Sequence, residues 1–158
     1  MKELASGMII WEGEAKREKL DEILAILEPK VEEFGFGMAQ VMQISIAIEE
    51  VFVNIATYAY DKLPEGEQTK EQKQKKTIVR YREDEVEKTI MVSFEDWGIP
   101  YNPLEKEDPD ITLSAEERNI GGLGIFMVKQ TMDDITYKYE NGKNCLTLVK
   151  KCCSFVVL

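Results

Sequence analysis

Ile44-Ser45-Ile46-Ala47-Ile48-Glu49-Glu50-Val51-Phe52-Val53-Asn54-Ile55-Ala56-Thr57-Tyr58-Ala59-Tyr60 carries apolar residues at helical spacing. Counting from Val41, the stripe is Val41, Ile44, Ile48, Val51, Phe52, Ile55 and Ala59, so one face of this helix is expected to meet a core. At ~100° per residue, Glu50 and Asn54 lie ~40° apart and roughly opposite the centre of that stripe. Ile46 and Val53 stand on the same side, where a water-exposed face has no need of them. A helix apolar nearly all round is usually covered on both sides. Two readings of Glu50 and Asn54 stay open: a partly exposed polar edge, or groups lining something that covers them, such as a ligand.

Outward from this helix the chain reads as alternating strands and helices. Met8-Ile9-Ile10-Trp11 is a first strand, and Leu20, Ile23, Leu24 and Leu27 mark one face of a helix that is expected to stop near Pro29. Gly35 and Gly37 precede the central helix, which starts near Met38 and ends by Pro64. Residues 64–76 lack apolar side chains and read as a mobile surface loop. Thr77–Arg82 and Val86–Phe94 read as strands around Glu83-Asp84-Glu85, with Val79, Tyr81, Ile90, Val92 and Phe94 inward. A long connection from Asp96 to Ile120, with three prolines, leads to a helix over Gly122–Asp134. Ile135–Glu140 and Asn144–Lys150 then flank Asn141-Gly142, a hairpin signal. The expected fold is α/β, an α+β two-layer sandwich in which a mixed, largely antiparallel sheet carries helices on one face. No repeat and no domain boundary interrupts residues 1–158, which read as one domain.

Composition narrows the function. The 158 residues suffice for a core without staples, and 44% hydrophobic with 32% charged residues describes a globular protein. A net charge of -10 argues against a nucleic-acid partner. The basic run Lys70–Lys76 is Gln-rich, broken by Glu71, and reads as a solvated loop. Three cysteines (Cys145, Cys152, Cys153) match no zinc spacing and suggest reduced thiols in a cytoplasmic setting. No apolar run approaches the ~20 residues needed to cross a bilayer. With no histidine in the chain, His-based acid–base chemistry and phospho-histidine transfer are excluded from within it.

Three segments carry chemistry. Glu50 and Asn54 are spaced i,i+4 on one helix face. Asp96-Trp97-Gly98-Ile99-Pro100 follows a strand; an aspartate there can accept a hydrogen bond from an exocyclic amine, and Gly98 lets a flat ring approach the backbone. Read alone, Asp-x-Gly is a turn. Gly121-Gly122-Leu123-Gly124 opens a helix, where backbone N–H groups and the helix dipole favour an anion, although a hinge explains it equally well. It is neither a P-loop nor a dinucleotide fingerprint.

Taken in order, Glu-x-x-x-Asn, Asp-x-Gly-x-Pro and Gly-Gly-Leu-Gly resemble the GHKL (Bergerat-type) ATP-binding fold. Ala47–Asn54, Asp96–Pro103 and Leu146–Lys151 read like its anti-sigma-factor serine kinase branch, and the likeness runs from the first strand to Lys151. The resemblance implies ATP and Mg²⁺ as cofactors. It makes Asn54 the metal ligand and Glu50 the catalytic base, with Glu49 as an alternative base. Asp96 and Gly98 would meet adenine, supported by Thr147. Gly122, Leu123 and Gly124 would present N–H groups to the phosphates, and Arg118 would neutralise their charge; an ordinary strand residue and a surface charge remain open for Thr147 and Arg118. The implied activity is a serine/threonine protein kinase acting on an anti-anti-sigma (STAS-type) partner, with a sigma factor as a further partner and a homodimer as the assembly. A nucleotide-gated binding module without phosphotransfer is the alternative. Neither nucleic acid nor membrane is an expected partner. Three departures stand out: Tyr58 where the branch often has histidine, Pro100 where the wider family often has glycine, and the long segment 64–76.

Overall fold

A computed structural model of the chain describes residues 2–3, 7–105 and 123–152. In chain order the elements are β1 (Lys2–Glu3), β2 (Ile9–Glu14), α1 (Leu20–Phe34), α2 (Met38–Asn54), α3 (Lys70–Lys73), β3 (Lys76–Asp84), β4 (Thr89–Asp96), α4 (Leu123–Thr131), β5 (Asp134–Glu140) and β6 (Lys143–Lys151). The strands form one sheet in the order β1-β2-β3-β4-β6-β5, and every pairing among them is antiparallel. The expected α+β architecture is therefore the one observed, and among the described residues the sheet lacks the parallel pair that a mixed sheet would have.

Side-chain alternation dictates the layering. Val79 pairs with Phe94 and Phe94 with Leu146, while Tyr81 pairs with Val92 and Val92 with Leu148. All six are buried and point to one face, where they meet Ile23, Leu27 and Val31 of α1, the stripe of α2, and Val128 of α4. Trp11 packs edge-to-face on Phe52 at 5.7 Å, and its indole N–H donates to Glu22 Oε2 at 3.0 Å, so the one polar atom of the ring is satisfied. Fully burying a side chain such as Phe52 contributes about 1.5–3 kcal/mol, which is how α2 is held flat on the sheet.

Four local expectations change. Helix α1 runs through Pro29 to Phe34, because Val31 is buried and Phe34 stacks on Phe36 at 5.8 Å. That burial outweighs the ~3 kcal/mol cost of an interior proline. The helix ends instead at Gly35, whose φ of 121° suits only glycine. Val86, expected in a strand, is exposed in a turn where Asp84 Oδ1 accepts from the N–H groups of Val86 and Glu87. Segment 64–76 contains α3, started by a reciprocal Thr69–Gln72 capping box. The continuous helix Met38–Ala59 is 22 residues long, with a mean hydropathy of 1.2, and so reaches the length and apolarity of a membrane span. In the fold it is the core helix, with Val41, Ile44, Ala47, Ile48, Val51 and Phe52 buried. The Asn141–Gly142 hairpin forms as expected, with φ of 55° and 76° at its two turn residues.

Candidate functional site

At the end of β4, Asp96 lies in a cross-strand row with Thr77 on β3 and Asn144 on β6. All three are buried on the helix side of the sheet; Asp96 and Asn144 are bonded to each other, while the buried Thr77 hydroxyl has no hydrogen-bond partner among the described residues. Asp96 Oδ1 accepts from the Gly98 N–H and from Asn144 Nδ2, both at 2.9 Å. Burial raises the Asp96 carboxyl pKa, and those two hydrogen bonds pull it back down. With Oδ1 occupied, Oδ2 is the oxygen available to an incoming donor.

Asn144 uses its whole hydrogen-bonding capacity. Its Nδ2 donates to Asp96 and, at 2.9 Å, to the Ile99 carbonyl; its Oδ1 accepts from the Tyr101 N–H at 3.0 Å and from the Tyr137 hydroxyl. On the other side, the turn meets the end of the central helix. After Asn54 the helix widens into a π-helical turn, Ile55–Ala59, and the Ala59 carbonyl accepts the Ile99 N–H at 3.0 Å. A Cβ on Gly98 would overlap the backbone carbonyl of Ala59. The glycine of Asp-x-Gly is thus required by helix packing as well as by any ring that approaches it.

Glu50 and Asn54 sit one turn apart on α2, both half-buried, with Asn54 Nδ2 donating to Glu50 Oε1 at 3.1 Å. A carboxylate can only accept, so the amide nitrogen faces it and Asn54 Oδ1 faces away, presenting a hard oxygen. Gly124, in the first turn of α4, lies directly on Glu50: a Cβ there would overlap the carboxylate. The start of α4, where N–H groups and the positive end of the helix dipole gather, is therefore brought to Glu50. Among the described residues no cluster of three or more His, Cys, Asp or Glu side chains could hold a metal. A cation here would need oxygens from a ligand in addition to Asn54, which is how Mg²⁺ is held on nucleotide phosphates. The residues present fit that group.

Of the expected site residues, Glu50 lies against Asn54 and Gly124, and Gly98, bonded to Asp96, packs on Ala59 at the end of the same helix. Leu123 is the first residue of α4, while Arg118 and Gly122 lie outside the described residues. Thr147 does not join Asp96. It pairs with Ser93 and Thr136, on the opposite sheet face from Asn144, Leu146 and Leu148. The support expected from Thr147 comes from Asn144, three residues earlier and on the other face; alternation within β6 was the signal that could have found it. Tyr60, also unforeseen, accepts the Trp97 N–H at 2.9 Å and donates to the Lys76 carbonyl. A cavity of about 620 Å³ lined by Phe36, Met38, Met42 and Ile46 opens at the opposite end of α2 and contains none of these groups.

Comparison with known proteins identifies the family. The family model described as "Histidine kinase-like ATPase domain" matches residues 13–150. The chain is 28% identical over 108 residues to the serine-protein kinase RsbW of Listeria monocytogenes, covering 68% of this chain and 64% of that protein. It is 30% identical over 114 residues to RsbW of Bacillus cereus, covering 71% and 65%. The chain thus spans about two-thirds of the length of these curated relatives. Among solved structures, it resembles the RsbU and RsbW domains of a Mycobacterium tuberculosis protein, with a TM-score of 0.62, 14% identity, and coverage of 92% of this chain and 32% of that one. The SiaB–SiaC complex of Pseudomonas aeruginosa gives a TM-score of 0.56, 16% identity, and coverage of 90% and 88%. These two likenesses are of fold.

Proposed function

The chain belongs to the histidine kinase-like ATPase domain family, and from that premise we propose that it is an ATP- and Mg²⁺-dependent serine/threonine protein kinase of the anti-sigma-factor type. Its substrate would be a serine on an anti-anti-sigma (STAS-type) partner, in the cytoplasm. The curated relatives named serine-protein kinase support the reaction class. A solved neighbour described as a complex of SiaB with SiaC supports a protein partner. A sigma factor as second partner and a homodimeric assembly complete the proposal.

The observation that carries it is the convergence on α2 of an acceptor-only carboxylate, an amide oxygen and a glycine-opened helix start. Asp96 Oδ2 would accept the adenine amino group, with Gly98 shaping the turn beneath the ring. The N–H groups at Leu123 and Gly124, at the start of α4, would meet the phosphates, with Gly122 and Arg118 assigned to the same task. Asn54 would hold Mg²⁺ through its side-chain oxygen, and the ion would supply neutralisation of the phosphate charge. Glu50 takes the proton of the serine hydroxyl as that oxygen bonds to the γ-phosphorus; the bond from phosphorus to the β–γ bridging oxygen breaks, and ADP leaves. The chain has no histidine to share this work.

Glu50→Gln tests the reading with γ-labelled ATP and a STAS-type protein as acceptor. Transfer by the wild type that falls ~10²–10⁴-fold in Glu50→Gln, with nucleotide and partner binding retained, supports it. Partner binding with no transfer by the wild type selects the alternative, a nucleotide-gated binding module.

A further inference from the structure

Tyr60 sits where the central helix meets the Asp96 turn, and its hydroxyl has two partners on two different elements. It accepts from the Trp97 N–H at 2.9 Å and donates to the Lys76 carbonyl at the start of β3. The fully buried Thr77 hydroxyl lies beside it. Burial pushes the Tyr60 phenol well above its ordinary pKa, so it remains the neutral group able to donate and accept at once. The Gln72 side-chain amide donates to the Trp97 carbonyl at 3.1 Å, so both polar atoms of the Trp97 backbone are held by side chains.

The placement of Tyr60 depends on the π-helical turn. An i→i+5 turn takes up roughly one more residue than an α turn, which rotates the succeeding residues by roughly 100° relative to a continued α-helix. Asn54 is the last residue before that turn, and Ala59 and Tyr60 are the residues that reach the Asp96 loop. Five residues of continuous helix therefore connect the amide oxygen at one end to the latch at the other.

We propose that Tyr60 is a positioning residue that latches the Asp96–Ile99 turn to the π-helical end of α2 and thereby couples base recognition at Asp96 to Asn54. The inference rests on the nucleotide reading above and adds a linkage to it. A base that orders the Asp96 turn also orders Ala59 and Tyr60, and through them the orientation of Asn54. By reciprocity, cation binding at Asn54 tightens the base site by the same factor. Neither Lys76 nor Trp97 can replace the hydroxyl, because both contribute backbone atoms that become unpaired without it.

Tyr60→Phe keeps the ring and removes only the hydroxyl. Calorimetric titration with ADP and GDP, each with and without Mg²⁺, reads the effect well below the thermal midpoint of the variant. The latch predicts a ~10-fold loss of ADP affinity, a narrower ADP-to-GDP ratio, and a smaller enhancement of ADP binding by Mg²⁺. A purely structural tyrosine would lower the melting temperature and leave both ratios unchanged, and that result overturns the proposal. A second measurement uses the wild type alone. Adenosine, which has no phosphates, should shift the Asn54 side-chain amide resonances together with the Trp97 and Ile99 backbone amides; an Asn54 signal that stays still while Trp97 moves refutes the coupling. Absence of ADP binding by the folded wild type ends the nucleotide reading itself, whereas normal wild-type binding with an indifferent Tyr60→Phe ends only the latch.

Discussion

From Trp97 to Tyr101 every backbone N–H that exists has a partner: Tyr60, Asp96, Ala59 and, after Pro100, Asn144. Around Glu50 and Asn54 the ties among the described residues are few, namely one side-chain hydrogen bond and the close approach of Gly124. The Asp96 end of the site is thus tied to the end of the central helix and to β6 by bonds already formed. The other end presents oxygens and the start of a helix that a charged ligand would complete. On the proposed reading, preorganisation lies where a neutral ring would be recognised, and open capacity where charge would be neutralised.

The largest expected effect lies at the open end. Gly124→Ala puts a Cβ into the Glu50 carboxylate. Phosphotransfer should fall ~10²-fold or more and ADP affinity by a clearly smaller factor, as measured by labelled-ATP transfer and calorimetry. Equal losses in both would erase the distinction between the two ends. Next comes Asp96→Asn, for which ADP affinity should drop ~10–100-fold. Its stability should move the other way. The folded-state pKa of Asp96 is raised by burial, so its contribution is fully present below the unfolded pKa and is lost as pH rises through the folded value. The charged form therefore strains the fold at neutral pH. Asp96→Asn should melt higher than wild type at pH 7, with the advantage shrinking as pH falls; a lower melting point at pH 7 contradicts this.

Asn144→Ala removes four hydrogen bonds and leaves Ile99 and Tyr101 backbone groups unpaired. Denaturant unfolding should report a loss of ~2–4 kcal/mol, accompanied by weaker ADP binding. Smallest is Thr147→Val, on the outer face of the same strand. ADP affinity should stay within about twofold. A large loss there would return Thr147 to the site and displace Asn144 from it.

Much of this arrangement could be read from the amino-acid order. The α2 stripe, the inward residues of β3 and β4, and the Asn141–Gly142 hairpin arise from local periodicity and turn chemistry, and each forms where expected. The passage of α1 through Pro29 could not be foreseen, because Val31 and Phe34 are held by contacts distant in sequence. The exchange of Thr147 for Asn144 has the same origin: a strand's composition suggests a partner for Asp96, but only register decides which face meets it. Segment 64–76 looked structureless because its anchors are polar. Gln72 reaches the Trp97 carbonyl, and the Thr69 capping box starts α3, neither of which leaves an apolar trace. Tyr60 escaped notice for a related reason. Its role depends on a π-helical turn that no periodicity announces.

The most direct measurement is calorimetric titration of ADP with and without Mg²⁺, on the wild type and on Asn54→Ala. Mg²⁺ should strengthen wild-type binding, whereas binding by Asn54→Ala should persist through Asp96 but lose the strengthening. Wild-type binding of ADP that Mg²⁺ leaves unchanged, or a folded wild type that binds no ADP, would contradict the assignment of this site to a magnesium-bound nucleotide.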